Sequence, residues 1–227
     1  MGNLTYWHEG ALCENPVWED AYSRFETPEQ ERTKFKKRLK RLGITGMPRG
    51  IAIAELFCGR GNGLLALQEL GFTNICGADL SPALLKQATV DCNLYVADCR
   101  NTRFKNGQFD LIVIQGGVHH LPALPGDLEQ TLDEVVRILK PETGRLCLVE
   151  PWMTPFLFFV HGLSSCSWTR KMWGKLDAFQ TMTDQEATTY FNWLGRREES
   201  LALIKDRFHP EILQEEMGKL FLLARRK

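Results

Sequence analysis

Hydrophobic and polar positions alternate in blocks along the chain from about residue 50 onward. Uninterrupted apolar runs predict five buried strands, at about residues 50–57, 74–79, 92–97, 109–115 and 145–150. Apolar residues at helical spacing predict helices between the strands, at about residues 62–70, 82–89 and 126–139. Strands and helices in this order are typical of an α/β fold, in which helices cover both faces of a parallel sheet.

The residues before this alternation predict helices without a strand. Asn15-Pro16 and Thr27-Pro28 each combine a residue that caps helices with a proline suited to the first helical turn. The second of these helices is expected to extend to about Leu42. We therefore expect residues 1–48 to form a helical N-terminal cap, or lid, ahead of a core at residues 49–227.

The pattern changes again after the fifth predicted strand. Residues 151–185 are rich in bulky apolar side chains without a strand period, which predicts a helical insertion, and a helix follows at about 183–194. Strand-like runs then occur at residues 201–205 and 219–224. Because no helix of useful length separates these two runs, we expect them to be antiparallel neighbours in the sheet.

A glycine loop directly follows the first predicted strand. Gly59, Gly61 and Gly63 stand at alternate positions, where the absence of a side chain lets the backbone turn sharply and approach a ligand closely. The helix that follows begins with its N–H groups facing the loop. An acidic residue, Asp79, closes the second predicted strand sixteen residues after Gly63. This combination predicts a site for a cofactor that contains a nucleoside.

Acidic or amide residues occur at or near the ends of all five predicted core strands: they are Glu55, Asp79, Asp98, Gln115 and Glu150. In open α/β sheets a ligand binds at the carboxyl ends of the strands, where the strand order reverses. Adjacent strands lie about 4.8 Å apart, so five strand ends cover roughly 19 Å. That span accommodates an extended nucleoside together with a small substrate.

The loop distinguishes between two classes of nucleoside cofactor. A dinucleotide site requires a pyrophosphate cradle with the pattern G-x-G-x-x-G, and Leu64 stands where its third glycine would be. The carboxylates of Asp79 and Asp98, after the second and third strands, suit free ribose hydroxyls and an adenine amine instead. An NAD-dependent oxidoreductase is therefore the weaker alternative.

Six motifs between about residues 50 and 150 together resemble the class I S-adenosylmethionine-dependent methyltransferases. They are Glu55-Leu-Phe-Cys-Gly59-Arg-Gly61-Asn-Gly63, Gly77-Ala-Asp79-Leu-Ser-Pro82, Val96-Ala-Asp98-Cys99, Phe109-Asp-Leu-Ile-Val-Ile-Gln115, His119-His120-Leu-Pro122 and Arg137-Ile-Leu-Lys-Pro141. The resemblance implies a Rossmann-like, doubly wound sheet of seven strands, mostly parallel with an antiparallel last strand. The histidine-containing motif is similar to that of the members that act on small metabolites.

Cofactor-binding residues follow from the resemblance position by position: they are Glu55, Cys58, Gly59, Gly61, Asp79, Leu80, Asp98, Cys99 and Gln115. The family pattern implies that Glu55 and the loop glycines hold the methionine end of S-adenosylmethionine. It implies that Asp79 accepts hydrogen bonds from the ribose hydroxyls, and that Asp98 with the backbone of Cys99 meets the adenine amine. The backbone carbonyl of Gln115 is expected near the amino group of the cofactor.

Two histidines follow the fourth predicted strand, beside the expected position of methyl transfer. His119 and His120 are both candidates for a general base, because an unperturbed imidazole titrates near neutrality. The resemblance favours His120, and the alternative is that one ring packs under the loop while the other positions the substrate. Arg60 departs from the family, which more often has a small residue at this position, so its role stays open.

Candidate substrate-binding residues lie in the cap and after the fifth strand: they are Trp18, Tyr22, Glu150, Trp152 and His161. Trp18 and Tyr22 are one helical turn apart, which indicates either core packing or a lid over the cofactor. The aromatic segment 151–185 is predicted to cover the substrate because it follows the fifth strand directly, and a packed helix pair is the alternative.

The composition limits the kinds of molecule that we expect the protein to bind. The chain has 28 Lys and Arg against 28 Asp and Glu, so its formal net charge is zero. Nucleic acids and anionic membranes attract clustered positive charge, so we expect neither as a partner. The basic stretch at residues 34–41 is interpreted as the solvated face of a helix.

The seven cysteines include no C-x-x-C pair and are interpreted as buried free thiols in a reducing cytosol. No cluster with metal-ligand spacing occurs, so no metal is expected. No charged-then-apolar signal segment follows Met1, and the longest apolar stretch, at residues 155–160, is far too short to span a bilayer. We therefore predict a cytoplasmic protein.

The function expected from these observations is transfer of a methyl group from S-adenosylmethionine to oxygen or nitrogen of a small-molecule metabolite or natural-product intermediate, by a monomer or homodimer. An amine acceptor needs only to be unprotonated, whereas a hydroxyl acceptor benefits from a base such as His120. Methylation of a protein is the main alternative. DNA base methylation is disfavoured, because its Asn/Asp-Pro-Pro-aromatic motif does not follow the fourth strand. A non-catalytic cofactor-binding protein is the remaining alternative.

Overall fold

The computed structural model describes residues 3–11 and 15–227. Within these residues the strands are β1 (Leu4–Tyr6), β2 (Ile53–Leu56), β3 (Ile75–Asp79), β4 (Asn93–Val96), β5 (Leu111–Gln115), β6 (Arg145–Pro151), β7 (Phe208–Glu216) and β8 (Lys219–Arg226). The α-helices are α1 (Pro16–Phe25), α2 (Pro28–Arg41), α3 (Asn62–Glu69), α4 (Pro82–Leu85), α5 (Gly126–Ile138), α6 (Pro155–Ser164), α7 (Ser167–Met172), α8 (Gly174–Gln185), α9 (Ala187–Gly195) and α10 (Arg197–Arg207). Short 3₁₀ helices occur at Ile44–Gly46 and Val118–His120.

The strands join one sheet in the order β1-β4-β3-β2-β5-β6-β8-β7. The strands from β1 to β6 run parallel, β8 pairs antiparallel with β6, and β7 pairs antiparallel with β8. The chain moves outward from β2 to β4 and then returns to β5, so the strand order reverses between β2 and β5. The predicted doubly wound, Rossmann-like fold class is confirmed, and this reversal is where such a sheet opens a ligand crevice.

The sheet has eight strands rather than the predicted seven. The additional strand is β1, in which Leu4 lies opposite Leu94 at the edge of the sheet, so the predicted helical cap also contains a strand. A strand of three residues is too short to reveal its period in the sequence. The segment after β1 passes over the end of β3, where the N–H of Ala11 donates to the carbonyl of Leu80 at 3.0 Å.

The predicted strand at residues 201–205 is wrong. These residues lie in α10, and the neighbour of β8 is β7, which begins at Phe208. A short apolar run does not by itself distinguish a strand from one face of a helix, and here Ile204 is the fully buried residue of a helical face. The expected antiparallel relation of two neighbouring strands is confirmed for β7 and β8.

Two predicted helices have different bounds in the structure. The helix expected at residues 82–89 is the single turn of α4, which Ser81 caps by accepting the N–H of Leu84 at 3.3 Å. The helix expected at 183–194 is interrupted, because α8 ends at Gln185 and α9 begins after Glu186. This interruption directs Glu186 toward the histidines described below.

Two apolar layers cover the two faces of the sheet. On one face α5, α9 and α10 bury Leu132, Trp193 and Ile204. On the other face α2 and α3 bury Leu39 and Leu67. Removal of this apolar surface from water is the main force that holds the helices on the sheet. The carboxyl edge of the sheet is left for polar groups.

The N-terminal helices and the insertion after β6 are in contact. The amide of Asn15, which caps α1, donates to Oε1 of Gln185 at 2.9 Å. At the other end of α1, Nη1 of Arg24 donates to Oδ2 of Asp177 on α8 at 3.0 Å. Helices that are distant in the sequence therefore pack side by side.

The helices among the described residues are all too short or too polar to cross a membrane. The described cysteines are free thiols, as expected, and four of them are buried: Cys58, Cys76, Cys99 and Cys147. Cys166 is exposed, and Cys13 lies outside the described residues.

Candidate active site

The glycine loop connects β2 to α3 through three residues with a left-handed backbone. Phe57, Gly59 and Gly61 have φ angles of 56°, 51° and 75°. The N–H of Gly61 donates to the carbonyl of Cys58 at 2.8 Å and closes the turn. An added β-carbon on Gly61 would lie 3.2 Å from two side chains of the segment after α4, so both backbone and space favour glycine here.

The Glu55 carboxyl group lies beneath the first turn of α3. An added β-carbon on Gly63, in that turn, would stand 1.9 Å from Oε1 of Glu55. The Glu55 residue is only 3% exposed. Burial, with repulsion from Glu31 on α2, raises the pKa of Glu55 to about 8. The charge of this carboxyl group is therefore sensitive to any charged ligand that binds beside it.

Asp79 joins the end of β3 to the glycine loop. Its Oδ2 accepts the N–H of Gly59 and its Oδ1 accepts the N–H of Ser81, both at 2.8 Å. Burial raises the pKa of Asp79. A carboxylate offers about four lone-pair positions, so about two remain for donors from a ligand. This arrangement suits a pair of ribose hydroxyls.

Asp98, just after β4, is paired with an arginine that the sequence did not indicate. The Arg100 guanidinium donates to both carboxylate oxygens at 2.7 to 3.1 Å and also reaches Oδ1 of Asp127 at 2.7 Å. The Arg100 guanidinium lowers the pKa of Asp98. The neighbouring Cys99 points its thiol at the sheet, where Sγ lies 3.7 Å from the carbonyl of Ala78.

Three shielded polar atoms near the switch point lack a hydrogen bond of good geometry: they are Oε2 of Glu55 and both Oε1 and Nε2 of Gln115. The Gln115 amide lies close enough to the Glu55 carboxyl group to oppose the rise of its pKa. Glu55 lies near the end of β2 and Gln115 ends the adjacent β5. Buried polar atoms are normally satisfied, because leaving them unpaired is costly. This set supplies acceptors and a donor, which fits a ligand that carries both an ammonium and a carboxylate, as an α-amino acid does.

His119 is held by a buried carboxylate from β6. Its Nδ1 lies 2.7 Å from Oε2 of Glu150, and Oε1 of Glu150 accepts the N–H groups of Gly117 at 2.7 Å and Val118 at 3.1 Å. Glu150 is fully buried. In the tautomer in which Nδ1 donates to this carboxylate, Nε2 carries the free lone pair of the ring. This pair can therefore accept a proton at Nε2 of His119.

Glu186, between α8 and α9, brings a second carboxylate to the histidines. Its Oε1 lies 3.6 Å from Nδ1 of His120, and its Oε2 lies 3.9 Å from Nε2 of His119. Among the described residues this is the group that could supply three ligands to a metal ion, with donor atoms within 4.8 Å of one another. This group was not predicted from the sequence, because Glu186 is distant from the histidines along the chain.

Residues 54–148 match the family model of a methyltransferase domain. This range contains the glycine loop, the strand-end residues Asp79 and Asp98, and the loop that carries both histidines. The predicted resemblance to the class I S-adenosylmethionine-dependent methyltransferases is confirmed for this domain. S-adenosylmethionine is the cofactor of this family.

Solved structures have the same fold as this methyltransferase, whereas no curated protein matches its sequence. The PH0226 protein of Pyrococcus horikoshii OT3 is 18% identical over 94% of this chain and 100% of its own, with a TM-score of 0.64. A proposed S-adenosyl-L-methionine-dependent methyltransferase from Methanococcus maripaludis is 13% identical, over 96% and 97%, with a TM-score of 0.63. The geranyl diphosphate C-methyltransferase of Streptomyces coelicolor A3(2) is 14% identical, over 96% and 86%, with a TM-score of 0.62.

The cap of the methyltransferase carries two of the predicted substrate-binding residues. The rings of Trp18 and Tyr22 stack with centroids 4.8 Å apart. Burial raises the pKa of the Tyr22 hydroxyl, and the nearby Glu31 carboxylate raises it further. Glu31 in turn accepts a hydrogen bond from Asn62, the first residue of α3, at 2.7 Å. The aromatic pair is therefore connected to the glycine loop through α2.

Trp152 and His161 occupy different environments in the methyltransferase. Trp152 is fully buried, and its ring centroid lies 5.6 Å from that of Trp193, which places it in the core beside β6. His161 on α6 lies with Nε2 3.3 Å from the hydroxyl of Tyr190. The Tyr190 ring is 6.1 Å from that of His119, so the structure connects His161 to the His119 loop.

Arg60, whose role the sequence left open, contacts the cap of the methyltransferase. Its guanidinium pairs with Glu19 on α1 and donates to Oε1 of Gln87 at 2.9 Å. The glycine loop is therefore tied to the first helix of the chain. The contact joins residues that are far apart in sequence, and no local pattern indicates it.

The basic stretch of α2 is only partly a solvated helix face. Lys37 is exposed, whereas Lys34 and Arg38 are half-buried. Glu31, Lys34 and Arg38 follow one another at intervals of three and four, so they share the helix face that also carries the buried Phe35. This spacing in the sequence could have indicated that α2 turns a polar face toward the sheet.

Proposed function

We propose that this methyltransferase transfers the methyl group of S-adenosylmethionine to an oxygen or nitrogen of a small-molecule acceptor. The observation that carries this proposal is the His119–Glu150 pair near the carboxyl edge of the sheet, because a carboxylate that holds Nδ1 of His119 leaves Nε2 to act on an acceptor. A base at that position is useful for a hydroxyl acceptor and less necessary for an amine.

The residues that would hold S-adenosylmethionine are those of the crevice between β2 and β5. Glu55 and Gln115 would receive its amino acid end, and the backbone of Gly59 and Gly61 would allow close approach. Asp79 would accept hydrogen bonds from the ribose hydroxyls. Cys58, Leu80, Asp98 and Cys99 are proposed to complete the contacts around the nucleoside. When bound, the sulfonium supplies an electrophilic methyl group.

The proposed chemistry moves one proton and one methyl group. The acceptor hydroxyl would give its proton to Nε2 of His119 while its oxygen forms the new bond to the methyl carbon. The sulfur of the cofactor would keep the electron pair of the broken carbon–sulfur bond, so that S-adenosylhomocysteine would be the leaving group. Glu150, hydrogen-bonded to Nδ1, would stabilise the imidazolium that results. His120, the residue favoured by the family resemblance, would position the acceptor, because its side chain is 43% exposed beside Glu186.

Residues 1–48 and 151–185 are proposed to enclose the acceptor as a cap and a cover. The contacts of α1 with α8 support this, because they place the stacked Trp18 and Tyr22 beside the insertion. His161, which contacts Tyr190, would line the covering segment, and Trp152 would support that segment from the core. An enclosed site assists such a transfer because it excludes water and holds the acceptor in line with the methyl group.

The remaining expectations about partners stay predictions. A small molecule fits an edge that is enclosed by helices, and the zero net charge argues against nucleic acid and anionic membrane. A monomer or homodimer in the cytoplasm, without a metal, is the state we expect. The solved geranyl diphosphate C-methyltransferases share only the fold with this chain. Methyl transfer to a carbon atom would contradict the proposed oxygen or nitrogen acceptor.

Calorimetric titration with S-adenosylmethionine and with S-adenosylhomocysteine, with NADH as the control, is the first test. We expect micromolar binding of the first two and none of NADH. Small phenols, amines and acids are then screened with S-adenosylmethionine that carries an isotopically labelled methyl group, and the product is analysed for the methylated atom. NADH binding, or labelling only of protein fractions, would contradict the proposal.

A further inference from the structure

A groove of about 700 Å³ lies between α2, α8 and the hairpin of β7 and β8. Its lining residues are mainly basic and polar: they are Glu26, Glu29, Gln30, Thr33, Lys34, Lys37, Arg38, Arg41, Lys175, Met217, Lys219 and Phe221. Six of these side chains are cationic and two are anionic. The lining therefore has a local excess of positive charge in a protein whose net charge is zero.

Most of this positive charge is not neutralised within the protein. Lys34 pairs with Glu26, and Arg41 pairs with Glu216. Among the residues that the structure describes, the side chains of Arg38 and Lys219 make neither a hydrogen bond nor an ion pair. Arg38 lies over the Phe35 ring at 5.4 Å, and the carboxylates of Glu26 and Glu150 act on both cations without contacting them. Half-buried cations without a counterion are unfavourable, because burial removes hydration that no protein group replaces. A bound anion would supply the missing partner.

The groove reaches the same edge of the sheet as the proposed methyl-transfer site. Lys219 begins β8 and lies opposite Pro151, the residue after Glu150. Arg38 lies two helical turns from Glu31, which contacts Asn62 at the start of α3. The two cations therefore stand between α2 and the carboxyl end of β6.

Electrostatic effects on Lys219 agree with this placement. Burial, together with the positive charges of Arg38 and Lys34 on α2, lowers the pKa of Lys219 to about 7. Glu150 on β6 and Glu26 at the end of α1 act in the opposite direction. Burial also lowers the pKa of Arg38. Burial and the neighbouring cations thus disfavour the charged form of Lys219, and a bound anion would favour it.

We propose that this groove binds the phosphate or diphosphate group of the methyl acceptor, with Arg38 and Lys219 as its principal contacts. The inference rests on the proposed function, because it specifies the class of acceptor that the methyltransferase takes. A guanidinium and an ammonium provide several N–H donors to the oxygens of one phosphate. Lys34, Lys37 and Lys175 on the walls of the groove provide charge for a second phosphate or a longer anion.

The test is a titration of the full chain with inorganic diphosphate, in the presence of saturating S-adenosylhomocysteine and at two salt concentrations. The variants are Arg38→Gln and Lys219→Gln. Their matched controls are Arg103→Gln and Lys205→Gln, which remove exposed cations outside the groove. We expect diphosphate to bind the wild-type protein, and each groove variant to weaken it by about tenfold, as loss of a charge-assisted contact does. The controls should match the wild type.

Several results would overturn the inference. They are no binding of diphosphate to the wild-type protein, equal losses in the groove and control variants, and displacement of S-adenosylhomocysteine by diphosphate. Citrate, tested in parallel, distinguishes a carboxylate site, and tighter binding of citrate than of diphosphate would contradict a phosphate site. Failure of the proposed function gives a different result. S-adenosylhomocysteine then does not bind, whereas the affinity for diphosphate can still be measured.

Discussion

Gly63 and Glu55 are in such close contact that one additional carbon atom would not fit between them. An added β-carbon on Gly63 would stand 1.9 Å from Oε1 of Glu55, well inside van der Waals contact. The first turn of α3 therefore rests directly on the carboxyl group at the end of β2. The third glycine of the loop is required by packing against this side chain, since its own φ is not left-handed.

Replacing Gly63 by alanine is expected to weaken binding of S-adenosylhomocysteine by tenfold or more, because the Glu55 carboxyl group must move out of the crevice. Gly126→Ala is the matched control, since a β-carbon there, also at the start of a helix, meets no atom within 4 Å. Calorimetry measures the affinity, and thermal unfolding measures how much of the effect is on stability. Equal affinity in the two variants would show that the contact does not matter for binding.

The ionisation of Glu55 predicts a dependence of stability on pH. Its pKa is raised from 4.5 to about 8, so within that range the folded protein holds a proton that the unfolded chain has released. The free energy of unfolding of the ligand-free protein should therefore fall as pH rises from about 5 to 8. Glu55→Gln should reduce this slope in urea unfolding, and Glu198→Gln, at an exposed position on α10, should leave it unchanged.

The same ionisation predicts proton release when the cofactor binds. The ammonium of a bound amino acid group would favour the charged form of Glu55, so binding at pH 7 should release up to about one proton. Titration of the wild-type protein with S-adenosylhomocysteine in buffers with different ionisation enthalpies measures this number. Binding without any proton release would mean that Glu55 is already charged or lies away from the amino group.

Asp79→Ala is expected to weaken S-adenosylhomocysteine binding by about 1–3 kcal/mol, because two ribose hydroxyls lose their acceptor. Asp110→Ala is a suitable control. Asp110 also accepts a backbone N–H, from Ala52 at 2.9 Å, but it precedes β5 at the opposite edge of the sheet. Unchanged cofactor affinity in Asp79→Ala would refute the assignment of β3 to the ribose.

The pairing of His119 with Glu150 predicts which histidine acts as the base. With an acceptor hydroxyl found in the screen, His119→Asn and Glu150→Gln should each lower kcat by about 10²–10⁴-fold and should leave S-adenosylhomocysteine affinity nearly unchanged. His120→Asn should mainly raise KM. A larger loss of kcat in His120→Asn than in His119→Asn would reverse the two roles.

The sequence predicted the half of the site that is encoded locally. The loop glycines, Asp79 and Gln115 follow strands whose apolar runs are unambiguous, and parallel strands bring their carboxyl ends to one edge. The strand β1 was missed because three residues carry no readable period. The run at residues 201–205 was misassigned because its apolar pattern fits a helix face as well as a strand.

Partners from distant parts of the chain could not be predicted. Arg100 reaches Asp127 on α5, and Glu186 approaches the histidines only because α8 and α9 are separated at that residue. Lys219 faces the cations of α2 through the placement of β8 beside β6. Each of these contacts depends on the order of strands in the sheet, which local periodicity does not specify.

The order of strands also has a consequence for synthesis on the ribosome. Glu55, Gly59 and Asp79 find the contacts described above among residues up to Gln115, so a nascent chain of that length already contains the cofactor crevice. His119 finds its partner only after Glu150 has been made, and the basic groove forms only after Lys219 has emerged and β8 has paired with β6. Because the chain is made from its N-terminal end, the residues of the cofactor half leave the ribosome before those that complete the acceptor half.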